Sequence, residues 1–119
     1  MTPRQAVKQI MGSKPPVYRT IGLWVYELTE DYEFLHGQKR YKIRAPFIWY
    51  IGTRGVRIPP FVKGLKRAAL EHDWYYPVDP AAADRMMIHA LAKYGTPRKW
   101  RRRIRNVITW YRRRCVDER

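Results

Sequence analysis

His72 and Asp73 stand side by side in the stretch "ALEHDWYYPVDPAAAD", with Tyr76 one helical turn further on and Asp84 beyond a turn marked by two prolines. On a helix His72 and Tyr76, four residues apart, share a face, and Asp73 is rotated by about 100°. A following helix that folds back antiparallel brings Asp84 toward them. A histidine oriented by a carboxylate can take a proton from water, and an adjacent carboxylate can hold a divalent cation that stabilises an oxyanion. The same residues can instead form a buried, hydrogen-bonded cluster that ties two helices together, since structural networks also collect such groups. On the sequence both readings stay open.

The elements that must position these residues follow from periodicity. Met1 to Met11 suits a short helix or arm, ended by "GSKPP" at residues 12–16, because successive prolines remove donors and disfavour helix before them. Leu23, Val25 and Glu27 alternate with Trp24, Tyr26 and Leu28, which predicts a strand. A second strand around Tyr32–Leu35 turns at His36-Gly37 toward a third at Tyr41–Ile43, and the apolar run "PFIWYIG" predicts a buried fourth. After residue 61 the period becomes helical. Asp79 is placed as an N-cap with Pro80 in the first turn, Gly95 closes that helix, and Thr96-Pro97 caps and opens the last one. The expectation is an α+β fold: a small antiparallel sheet over about residues 20–52, then three helices over about 62–76, 80–94 and 97–115. It comprises an arm of residues 1–16 and a single domain over 17–119.

Charge is the dominant compositional fact. Twenty-five Lys and Arg face ten Asp and Glu across 119 residues, a net +15. Residues 93–119 hold eleven basic and two acidic side chains, so most of the surplus lies at that end. In "PRKWRRRIRNVITWYRRRC" the residues Trp100, Ile104, Val107, Ile108, Tyr111 and Cys115 fall on one apolar stripe. Arg98, Lys99, Arg101, Arg102, Arg105, Arg112 and Arg113 are the candidate anion-binding set on the remaining arc. A surplus this dense costs self-repulsion and favours an anionic partner: nucleic acid, anionic lipid or an acidic protein surface. No paired zinc ligands, aromatic RNA-recognition signature or heptad zipper accompanies it, so phosphate contact without sequence readout is the natural form of nucleic-acid binding. Trp100 and Trp110 could stack on single-stranded bases, although burial is the commoner fate of tryptophan. The one cysteine, Cys115, makes no internal disulfide. No signal-peptide pattern or apolar run of roughly 20 residues appears. A soluble protein made in a cytoplasm, without a transmembrane segment, is therefore expected.

Two resemblances attach to these motifs. The order H-D-x-x-Y followed by a later A-D is similar to the secreted calcium-dependent phospholipases. That likeness implies His72 as general base, Asp73 as calcium ligand, and Tyr76 and Asp84 as the supporting hydrogen-bond network. It covers some 20 residues. "YIGTRG" at residues 50–55 only faintly matches the glycine-rich calcium loop of those enzymes, and their disulfides are missing. Over most of its length the chain resembles a small domain-of-unknown-function family common in phage and prophage genomes. Its pattern is Phe-x-Thr-Asp-x-Ala-Ser-x-Pro, then Ala-x-x-His-Asp-x-x-Tyr, then Ala-Asp before an apolar helix. Thr53, Ile58-Pro59, Ala69, His72, Asp73, Tyr76 and Asp84 fit it, whereas Arg54 and Arg57 stand where the family has Asp and Ser. A guanidinium among carboxylates replaces a metal electrostatically by bidentate pairing. Arg54 is accordingly expected to pair with Asp73 or Asp84 in a structural clasp that includes Thr53 and Pro59.

Three functions follow as expectations. The first is a non-enzymatic phage virion component of the tail, neck or capsid. It would be made in the host cytoplasm and dock in an oligomeric assembly onto other virion proteins, packaged DNA or both. The second is a small lipid or ester hydrolase using His72 and Asp73, and only this one calls for a cofactor, calcium. The third is a sequence-independent nucleic-acid binder in the host cell.

Overall fold

The computed structural model describes residues 24–51, 59 and 61–113. The expected N-terminal arm, Thr53, Arg54 and Cys115 lie outside the described residues. The chain divides after residue 57 into two compact units, the first of strands and the second of helices, so the fold is α+β with the strands first.

In the first unit β1 (Trp24–Leu28) pairs antiparallel with β4 (Phe47–Ile51), and β2 (Tyr32–His36) with β3 (Lys39–Ile43). The one expected sheet is two two-stranded ladders. Both keep a single register, as if one long hairpin had been interrupted by three residues on each side. Pro46 has no N–H to give a ladder. The neighbouring Ala45 N–H donates to Asp31 Oδ1 at 2.9 Å, and Lys42 Nζ lies 3.6 Å from Asp31 Oδ2. The Ala45 bond leads the influences that hold the Asp31 carboxyl below its ordinary range. Directly opposed aromatics stitch each ladder: Tyr26 stacks on Trp49 at 5.6 Å and Phe34 on Tyr41 at 5.2 Å between centroids. Such pairs add about 0.5–1.5 kcal/mol each beyond their buried area. The tip is a two-residue loop, Gly37-Gln38, with Gly37 at φ 63°, a value that costs glycine nothing.

The second unit holds α1 (Leu65–Tyr75), α2 (Pro80–Lys93) and α3 (Arg98–Arg112). Helix α1 starts three residues later than the periodicity predicts. Residues 61–64 make turns instead, and Gly64 precedes the helix at φ 79°. Asp79 accepts from Ala82 N–H at 3.1 Å with Pro80 in the first turn of α2, as the sequence predicts. At its other end Gly95 takes φ 79°, and Gly95 N–H and Thr96 N–H bond Ala92 O and Leu91 O at 3.2 and 2.9 Å. That crossed pair of bonds closes the helix and satisfies carbonyls the helix would otherwise leave open.

Helices α1 and α2 form an antiparallel hairpin whose buried face is Leu65, Ala68, Ala69 and Leu70 against Ala83, Met86, Met87, Ala90 and Leu91. The i, i+3, i+4 spacing on both helices gives one stripe each, and the alanines allow the backbones to come close. Burying Leu65 and Leu91 completely is worth about 1.5–3 kcal/mol apiece. The open end of the hairpin is tied by Thr96, which is expected to cap α3 but instead donates its hydroxyl to Lys63 O at 2.6 Å. Pro97 takes the cap position with no side-chain bond. Helix α3 packs on α2 more sparingly, with Ile104 fully buried and Trp100, Val107 and Ile108 half-buried.

Candidate functional site

The hairpin places His72, three residues before the end of α1, opposite Asp84 in the second turn of α2. His72 Nε2 lies 2.8 Å from Asp84 Oδ1, and Nδ1 lies 3.3 Å from Asp73 Oδ1. The Tyr76 ring packs against the imidazole at 5.2 Å between centroids. From α3, Arg112 Nη1 donates to Asp84 Oδ2 at 3.4 Å. Three helices therefore meet at one carboxylate, and Asp84 is only 3% exposed.

Both nitrogens of His72 face carboxylate oxygens, which can only accept, so the doubly protonated ring satisfies both contacts. Burial opposes the charge. The hydrogen bonds and negative charges of Asp73 and Asp84 outweigh it and raise the His72 pKa to about 9. Near neutral pH the group is an imidazolium donating to both sides. The His72–Asp84 and Arg112–Asp84 contacts make a compact array in which cations and carboxylates alternate.

Of the sequence-based candidates, His72, Asp73, Tyr76 and Asp84 are brought together. The pairing expected of Arg54, like the place of Thr53, falls outside the described residues, and Pro59 offers its carbonyl to Val62 N–H at 3.3 Å. Arg112, assigned from sequence to the outer basic face, is the arginine that reaches Asp84. A calcium ion takes six to eight oxygens. The described groups here are two carboxylates, one shared between His72 and Arg112, with two cations beside them. Among the described residues no set of three His, Cys, Asp or Glu side chains is arranged to hold a metal.

A second polar contact escaped the sequence reading. Glu71, 3% exposed, accepts from the Tyr94 hydroxyl, and the Arg67 guanidinium lies over the Tyr94 ring at 4.2 Å. Its signal is that Glu71 follows Ala68 by three residues, on the stripe that faces α2. Charge alone marks it as a surface residue.

The other candidate surface is the outside of α3. Arg98, Lys99, Arg102, Arg103, Arg105 and Arg113 are exposed, and α3 contains no acidic residue. Arg98, Lys99, Arg102, Arg103 and Asn106 line an open depression of about 700 Å³. Arg101 is half-buried. Arg103 was not in the expected anion-binding set and belongs to this face.

No protein-family model matches the chain, and no curated protein or solved structure is significantly similar to it. No described helix is long and apolar enough to cross a membrane.

Proposed function

We propose that this chain is a non-enzymatic docking protein, a structural component of a phage virion, which grips packaged nucleic acid by its phosphates through the outer face of α3. The observation that carries this reading is the row of exposed cations from Arg98 to Arg113, uninterrupted by any acidic side chain. A continuous cationic strip suits a polyphosphate backbone and needs no base-edge contacts. Docking onto neighbouring virion proteins in an oligomeric assembly is the other half of the proposal, and the exposed Phe61 and Val78 are available to such contacts. The hydrolase alternative is weaker because a protonated His72 held by two carboxylates has no lone pair with which to activate water. Binding nucleic acid in the host cell would use the same face in another place.

The test is the affinity of the full chain for labelled duplexes of unrelated sequence as a function of salt. With about five phosphates engaged, log K against log salt has a slope of about −4 to −5, and affinity falls several hundredfold between about 50 and 200 mM. Affinities for different sequences should agree within about threefold. A flat salt dependence, or strong discrimination between duplexes, would refute the proposal.

A further inference from the structure

The two tryptophans of α3 differ in exposure. Trp100 is half-buried, and the Arg103 guanidinium sits over its ring, 5.5 Å from the centroid. Trp110 is 49% exposed and lies off the apolar stripe of the helix. It follows Arg103 by seven residues and Asn106 by four, and precedes Arg113 by three, all of them exposed. These spacings put the four residues on one side of α3, with Trp110 about 10 Å along the axis from Arg103 and about 5 Å from Arg113. The open depression lined by Arg98, Lys99, Arg102, Arg103 and Asn106 lies along the same helix, toward its N-terminal end.

From this juxtaposition of an exposed indole with flanking cations, we infer that α3 binds single-stranded nucleic acid in preference to duplex, with a base stacked on Trp110. The inference rests on the phosphate-binding reading above and adds the class of polymer. In a duplex the base faces are covered by their neighbours, and an indole on a helix surface has none to meet. In a single strand each base has a free face, and stacking on an aromatic side chain tolerates any sequence. Arg103 and Arg113 on either side of Trp110 take the phosphates, and the Asn106 amide can hydrogen-bond a base edge or a sugar. The charge of the strip sets the attraction, and Trp110 sets the preference.

The test uses the full chain and three probes of equal length: an oligothymidine strand, the matching abasic strand with phosphates but no bases, and a duplex. Fluorescence anisotropy at about 100 mM salt reads each affinity. Wild type should bind oligothymidine more tightly than the abasic strand and the duplex. Trp110→Leu should lose about 5- to 140-fold on oligothymidine and less than about twofold on the abasic strand. Trp110→Phe, which keeps a ring, should stay within about threefold of wild type. Equal loss on both strands, or no loss on either, overturns the stacking role while leaving the phosphate-binding reading intact. Failure of wild type to bind any of the three overturns that reading, and stacking with it. Binding to anionic phosphatidylglycerol vesicles in preference to all three also overturns the inference and assigns the face to a lipid surface.

Discussion

The charge on His72 gives the helical unit a stability that should fail from the alkaline side. The folded-state pKa is raised to about 9 from an ordinary 6.5. A raised pKa means the folded state holds the proton more tightly than the unfolded one, so the stabilisation is complete below about pH 6.5 and is lost as pH climbs through about 9. At 1.36 kcal/mol per pKa unit, the full effect is about 3 kcal/mol. The side chain is 16% exposed, so solvent screening removes only part of it. The perturbation is His72→Gln, which keeps a polar side chain that does not titrate. Urea unfolding of wild type and variant from pH 6 to 10 gives the difference directly, since lysines and tyrosines titrate in both and cancel. At an m-value of about 1.5 kcal/mol per M, wild type should lead by about 2 M in midpoint at pH 6, with the gap closing between about pH 7 and 9.5. A gap that stays constant over that range would refute the reasoning. So would a His72 imidazole that titrates by NMR at or below its ordinary value.

Four further outcomes are expected. Gly64→Ala should cost about 2–4 kcal/mol in thermal or urea unfolding, because its methyl would lie 2.7 Å from both Thr96 Oγ1 and Tyr94 Cβ at φ 79°. Asp79→Ala removes the bond to Ala82 N–H and should cost about 1 kcal/mol, with Asp79→Ser restoring most of it. Arg112→Gln should lower stability by about 1 kcal/mol and leave the salt slope of nucleic-acid binding unchanged. Arg105→Gln should leave stability unchanged and make the slope shallower by about one unit.

What the sequence made legible was whatever local chemistry decides. Asp79-Pro80 and Gly95 fix the ends of α2 because a cap, a proline and a left-handed glycine each act within a few residues. The pairing of His72 with Asp84 was legible for the same reason: a short turn between two helices leaves few ways to return. Features decided by distant partners were not. Thr96 reads as a cap, yet its hydroxyl is claimed by Lys63 O, across the open end of the hairpin. The strand-forming segment reads as one sheet, and Pro46 with Asp31 breaks its ladder in two. The charge of Glu71 marks it as a surface residue, and only the return of α2 supplies the Tyr94 that meets it and Arg67.

Arg112 shows where a closer reading would have gone further. Composition treats the arginines of α3 alike, but their positions differ. Arg112 follows Ile108 by four residues and Ile104 by eight, and Arg101 precedes Ile104 by three, so both lie on the apolar stripe, and both are half-buried. A long side chain at the edge of such a stripe can lay its methylenes along apolar surface and bring its charge to a partner. Among the described side chains of α3, Ile104 near its middle is the fully buried one. The contact of Arg112 with Asp84 supplies an anchor at the C-terminal end of the helix, and His72 holds the same carboxylate from the other side. Replacing a buried ionic cluster with apolar groups often costs a fold nothing in stability. What an apolar contact would not supply is direction, since packing tolerates sliding and a shared carboxylate does not. Arg112 thus adds a contact of α3 to the α1–α2 hairpin, and Arg102, Arg105 and Trp110 of the same helix are exposed. On this geometry the residues that first suggest catalysis join three helices at one carboxylate.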